Sequence, residues 1–93
     1  MSRDAKFEAI RRLAAALVAS GQTLTFADLA AWLNTAGYTT GYGTPYAVGG
    51  RGVARLVHAV YDWVCSELGL GEAAAAPVAE AFTNARGGYA YDR

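Results

Sequence analysis

Alanine occupies 21 of the 93 positions of this chain, and that share limits the kind of core the chain can build. Hydrophobic residues make up 54% of the sequence, but without alanine only 29 larger or polar-tipped apolar side chains are left. Alanine is the best helix former and adds little volume to a core. The composition therefore predicts one small domain of closely packed helices, without a second domain and without a core that holds a ligand.

Two segments in the first half have the spacing and the end signals of amphipathic helices. One covers residues 3–19, where apolar side chains recur every three or four positions, and Gly21 follows as a left-handed helix end. The other begins after the capping residue Thr25 and ends at Gly37. Both helices are expected to bury one face.

The helical periodicity disappears over residues 38–50, which are rich in glycine and tyrosine and contain a proline. This composition predicts a long ordered loop or a short hairpin that turns at residues 41–43. A third helix is expected over residues 51–68, and a fourth over residues 72–84, with Pro77 at a kink or in the true first turn.

These elements predict a mostly α fold, a three- to four-helix domain at residues 1–86 with a helix-turn-helix-like core and a C-terminal tail at residues 87–93. The sequence contains no secretory signal pattern and no apolar run that could span a membrane. The single cysteine excludes an intrachain disulfide. We expect a cytoplasmic protein without membrane contact.

The formal net charge is 0, but the two parts of the chain carry opposite charges. Residues 1–60 contain six basic and three acidic side chains, a net of +3, and residues 61–93 have a net of −3. The neutral total excludes a polycation that binds nucleic acid regardless of sequence. A local basic surface is still compatible with this distribution.

The middle of the chain has the plan of a helix-turn-helix DNA reader, in which a short helix and a connection precede a helix with outward basic residues. Its residues resemble the pattern L-A-x-x-L-N-x-x-G-x-x-T-x-x-G-x-x-W of the helix-turn-helix segments of large serine recombinases and related mobile-element proteins. The matching positions are Leu29, Ala30, Leu33, Asn34, Gly37, Thr40 and Gly43, with Tyr46 in place of the final tryptophan. The family's next helix begins near V-x-x-I-L, similar to residues 53–57. No recombinase catalytic domain is recognisable.

The resemblance implies a helix-turn-helix fold, and residue chemistry identifies candidates for DNA contact. Arginine makes paired hydrogen bonds to guanine edges or phosphates, and tyrosine stacks on bases. The candidates lie in the loop and on the third helix: Thr39, Thr40, Tyr42, Arg51, Arg55 and His58. Two structural alternatives stay open. The arginines could form an ordinary solvated helix surface, and Tyr38, Tyr42 and Tyr46 could pin the loop to the core or to another protein.

Catalysis has few candidate groups, because the chain has one histidine and one cysteine. His58 and Cys65 are two helical turns apart, about 10.5 Å along the axis, which is beyond hydrogen-bond reach. We therefore expect no enzyme, cofactor, metal or small-molecule substrate.

The expected function is a small DNA-binding regulator of phage, plasmid or other mobile-element origin, acting as a homodimer and reading DNA with the helix that starts near Arg51. The alternative is a protein–protein interaction module, such as a small inhibitor or adaptor, that keeps the scaffold without binding DNA.

Overall fold

The computed structural model describes residues 2–49 and 51–84, and the tail predicted at residues 87–93 lies outside this part of the chain. The elements in chain order are α1 (Arg3–Ala19), β1 (Leu24–Thr25), α2 (Phe26–Thr35), α3 (Gly52–Asp62), a π-helical continuation of α3 (Trp63–Glu67), α4 (Gly71–Ala81) and β2 (Phe82–Thr83). The mostly α fold with four helices is confirmed.

The core is built from medium-sized aliphatic side chains, and alanine lets the helices come close. Helix α1 packs mainly against α4, and α3 packs against α4 and α2. Ala14 and Ala75, on α1 and α4, are fully buried. The largest completely buried side chains are Phe82, Ile10, Leu29, Leu33, Val53, Val57, Val60, Val64 and Val78.

Glycines with positive φ end the first two helices, as the sequence predicts. Gly37 has φ of +87°, and the Tyr38 amide donates to the Leu33 carbonyl over 2.9 Å while the Gly37 amide donates to Asn34. The same pair of bonds closes α1 around Gly21. This geometry satisfies carbonyls that a helix end otherwise leaves unpaired.

A short parallel strand pair joins the segment before α2 to the segment after α4 and was not expected from the sequence. Leu24 pairs with Phe82 and Thr25 pairs with Thr83. The prediction that the fourth helix reaches residue 84 is therefore wrong, because the chain turns to extended geometry at Phe82, where its side chain enters the core. Pro77 lies inside α4.

The third helix also departs from the regular α-helix predicted to residue 68. It is α-helical to Asp62 and then widens into a π-helical turn, in which the Leu68 amide donates to the Trp63 carbonyl over 2.8 Å. Trp63 and Val64 are both buried in this turn. The Trp63 ring meets the Phe7 ring edge-on with 5.7 Å between centroids, which fastens α1 to this end of α3.

Candidate nucleic-acid interface

Residues 36–51 connect α2 to α3, a connection far longer than the roughly three- to four-residue turn of a minimal helix-turn-helix. Its described part, residues 36–49, is called the connecting loop below. It contains no strand, so the expected ordered loop is found in place of the alternative hairpin.

The tip of the connecting loop is a hydrogen-bonded turn between two threonines. The Thr40 amide donates to the Thr44 carbonyl over 2.9 Å, and their hydroxyls are 2.7 Å apart. Gly43 takes φ of +79° inside the turn. Tyr42 lies at the tip with 95% of its surface exposed, so the turn holds a large aromatic ring in solvent.

Beyond the turn, Asn34 of α2 holds the connecting loop at Tyr46 by two hydrogen bonds. The Asn34 side-chain amide donates to the Tyr46 carbonyl over 3.0 Å, and its oxygen accepts from the Tyr46 backbone amide over 2.8 Å. These two bonds reproduce the pairing that a neighbouring strand would offer. Because both backbone groups of Tyr46 are satisfied in this way, its ring can lie buried in the core.

The Tyr46 hydroxyl connects the connecting loop to α1 through a lysine. Lys6 Nζ donates to the Tyr46 hydroxyl over 2.7 Å and to the Thr39 carbonyl over 2.9 Å. The same hydroxyl donates to the Thr39 carbonyl over 3.2 Å, and the Lys6 ammonium lies 5.3 Å from the Tyr46 ring centre. The lysine charge is thus held at a defined place beside the loop.

Helix α3 presents a polar face with small residues opposite its apolar stripe. Arg51, Arg55 and His58 are exposed on this face, where they line one shallow depression. Ala54 and Ala59 line the same depression, one on either side of this polar stripe. Asp62, the acidic residue of this face, stands at its C-terminal end.

A second concavity, the interhelical groove, lies between α1, the connecting loop and α3 and has a volume of about 430 Å³. Buried Phe7, Tyr46 and Leu56 contribute apolar surface, and the exposed Tyr42 ring flanks it. Its charged lining residues are all basic: Arg3, Lys6 and Arg55. Arg55 belongs both to this groove and to the polar face of α3.

The three arginines of α1 are paired with carboxylates. Arg11 and Arg12 lie 3.2 Å from the two carboxylate oxygens of Glu8, and Arg3 lies 2.8 Å from Glu67. Hydrogen bonds to Asp4 and then to Glu67 raise the pKa of Arg3, so its guanidinium stays protonated. Within the described residues no salt bridge involves Lys6, Arg51 or Arg55.

The structure brings the sequence-predicted site residues to two adjoining surfaces. The polar face of α3 carries Arg51, Arg55 and His58, and the interhelical groove brings Thr40 and Tyr42 next to Arg55. Thr39 is exposed just before the loop turn and contributes its backbone carbonyl to Lys6.

The alternative role predicted for the tyrosines applies to two of the three. Tyr46 is buried, and Tyr38 is half-buried with its ring stacked on Trp32 at 6.2 Å between centroids. These two rings fasten the loop. Tyr42 differs from them because it contributes little to the core and is held in solvent.

Sequence reasoning missed Lys6 and Asn34 as parts of the site. Lys6 appears in the sequence as a water-facing residue of an amphipathic helix, and its partner Tyr46 is 40 positions away. Asn34 belongs to the recombinase-like pattern, but its contact to Tyr46 spans 12 positions. No local signal identifies either contact.

No family model, curated protein or solved structure was found to match this chain. Among the helices of residues 2–49 and 51–84, none has the length and apolar character needed to cross a membrane. The same residues contain no cluster of three histidine, cysteine or carboxylate side chains suited to a metal ion.

Proposed function

We propose that this protein is a small non-enzymatic DNA-binding protein that inserts the polar face of α3 into the major groove. The observation that carries this proposal is that the paired and the unpaired arginines lie on different helices. Arg3, Arg11 and Arg12 are paired with carboxylates, whereas Arg51 and Arg55 make no salt bridge within the described residues and lie on one exposed face. Unpaired guanidinium groups are the ones available for phosphates and guanine edges.

The shape of α3 supports the same role. An α-helix with its side chains is about 10–12 Å across, which matches the roughly 12 Å width of the major groove. Ala54 and Ala59 flank Arg55 and His58 and add little bulk beside these longer side chains. The loop residues Thr39, Thr40 and Tyr42 would contact the DNA beside the helix.

The experiment is a DNA-binding titration at several salt concentrations, with Arg55→Ala and Arg12→Ala as a matched pair. Both changes remove one arginine from an exposed helix surface, but Arg12 is paired with Glu8 on α1. Loss of a base or phosphate contact at Arg55 should weaken binding by about 1–3 kcal/mol. Arg12→Ala should have no effect on the same duplex.

Failure of the wild-type protein to bind DNA even at low salt would reject the proposal. Equal affinity of the wild-type protein and Arg55→Ala would reject the role of that residue. Circular dichroism should show that both variants keep the helical fold, since both side chains are exposed.

The second candidate is the protein-interaction module without DNA binding, which one observation favours. Tyr42 and Val48 are both exposed on the connecting loop, by 95% and 61%. A broader aromatic patch would favour this role more strongly, but Trp32 is half-buried and Tyr46 is buried. DNA binding is therefore the better supported of the two functions.

The homodimer, the cytoplasmic location and the mobile-element origin stay predictions. Sedimentation at high concentration tests the first of them, and a strictly monomeric protein would contradict it.

A further inference from the structure

We infer that the interhelical groove binds the sugar-phosphate backbone of DNA and that Lys6 is its phosphate ligand. This inference rests on the function proposed above and extends it to a second surface. It assigns α1 a part in binding, although the helix-turn-helix plan places DNA contacts on the connection and on α3.

The charge of the groove supports a phosphodiester as its occupant. Its lining includes Arg3, Lys6 and Arg55 and contains no carboxylate. Arg3 is already paired with Asp4 and Glu67, so the positive charge that is left comes from Lys6 and Arg55. Two cations on opposite walls suit an anion that lies between them, and DNA carries one phosphate per nucleotide.

The apolar part of the groove suits the sugar of the same backbone. Phe7 and Leu56 are buried at its base, and Tyr42 stands exposed beside it. Deoxyribose offers carbon-bound hydrogens next to each phosphate, so apolar contact and charge pairing are satisfied by one repeating unit. The Thr40 and Thr44 hydroxyls also line the groove, and because one of them donates to the other over 2.7 Å, one O–H is left for a phosphate oxygen.

The ammonium of Lys6 is positioned before any ligand binds. It donates to the Tyr46 hydroxyl over 2.7 Å and to the Thr39 carbonyl over 2.9 Å, which uses two of its three N–H groups. One donor is therefore left for a phosphate oxygen. Neither existing partner is a carboxylate, so the full positive charge is available to the ligand.

The test compares the salt dependence of binding in four proteins: the wild type, Lys6→Met, Lys6→Arg and Arg12→Met. The probe is a fluorescent DNA duplex of random sequence, about three helical turns long. Contacts to the DNA phosphates then contribute most of the measured affinity. Lys6→Met removes the charge from the groove, Lys6→Arg keeps it, and Arg12→Met removes one charge from another face of α1.

Loss of one phosphate contact should lower the slope of log affinity against log salt by about 0.9. The corresponding loss of affinity is roughly tenfold at about 100 mM salt. We expect this change for Lys6→Met only, with equal effects on duplexes of different sequence, since a phosphate contact carries no base information.

Tyr46→Phe tests whether binding depends on the charge of Lys6 or on the hydrogen bond that holds its ammonium group in place. The variant removes the hydroxyl that accepts from Lys6 and leaves the ammonium, so the salt slope should stay at the wild-type value. Equal slopes for Lys6→Met, Arg12→Met and the wild type would overturn the inference while the function proposed for α3 stands. A wild-type protein that binds no DNA would overturn both.

Discussion

The loss of the contact between Asn34 and Tyr46 has the most specific predicted effect on stability, because the Asn34 side chain bonds both the amide and the carbonyl of Tyr46. Asn34→Ala removes the bonds of 3.0 Å and 2.8 Å, both partly buried, that hold the carbonyl and the amide of Tyr46. A hydrogen bond contributes about 1 kcal/mol net to stability, and this variant loses two of them. We therefore expect a loss of about 2 kcal/mol in the free energy of unfolding.

That loss is large for a domain of this size. Small domains have unfolding free energies of about 5–15 kcal/mol, and 1 kcal/mol shifts the melting temperature by about 4–8 °C. The melting temperature of Asn34→Ala should fall by roughly 10 °C, measured by circular dichroism during thermal unfolding. Asn34→Asp keeps the acceptor for the Tyr46 amide and loses the donor, so its melting temperature should lie between those of the wild type and the alanine variant.

Thr35→Ala is the matched control, because Thr35 is the exposed neighbour at the end of the same helix. A surface substitution of this kind changes stability by less than about 0.5 kcal/mol. Amide hydrogen exchange at Tyr46 distinguishes local release of the loop from global unfolding. Equal stability of Asn34→Ala and Thr35→Ala, together with unchanged exchange at Tyr46, would refute the assigned role of Asn34.

Three further substitutions test how the elements are held in place. Thr25→Ala removes the hydroxyl that accepts from the Asp28 amide over 3.1 Å, and denaturant unfolding should show a loss of about 1 kcal/mol. Gly37→Ala forces a side chain into φ of +87°, where an added Cβ meets no atom within 4 Å, so the backbone cost alone should lower stability by about 1–2 kcal/mol in the same assay. Phe82→Ala leaves a cavity at a fully buried position and should lower the free energy of unfolding by about 3–5 kcal/mol. At the upper end of this range the variant would show no cooperative thermal unfolding at physiological temperature. A decrease below about 1 kcal/mol would contradict the place of Phe82 in the core.

The helices could be predicted from the sequence because their signals are local. Apolar residues spaced three or four apart indicate α1 and α2, and Gly21 and Gly37 each lie two positions after the last residue of their helix. The capping role of Thr25 could be predicted for the same reason, since its partner Asp28 is three positions away.

The strand pair and the anchoring of the connecting loop could not be predicted, because their partners are distant in the chain. Two residues such as Leu24 and Thr25 show no alternation that would identify a strand, and their partners lie at Phe82 and Thr83. The bond from Lys6 to Tyr46 depends on how α1 lies against the loop after folding. Such contacts result from tertiary packing and leave no pattern in either segment alone.

Most positions of the recombinase-like pattern have structural roles in this fold, so the pattern is evidence for the fold and not for DNA binding. Leu29, Ala30 and Leu33 are buried, Asn34 pairs with the backbone of Tyr46, and Gly37 and Gly43 occupy positive φ. Each of these positions would be required whether or not the chain binds DNA. Among the residues proposed to contact DNA through their side chains, Thr40 belongs to the pattern, whereas Lys6, Tyr42, Arg51 and Arg55 stand outside it or at its variable positions. Most of the proposed DNA contacts could therefore change while the pattern stays, so DNA binding by the wild-type protein decides the function, and the Arg55 and Lys6 variants decide which surfaces take part.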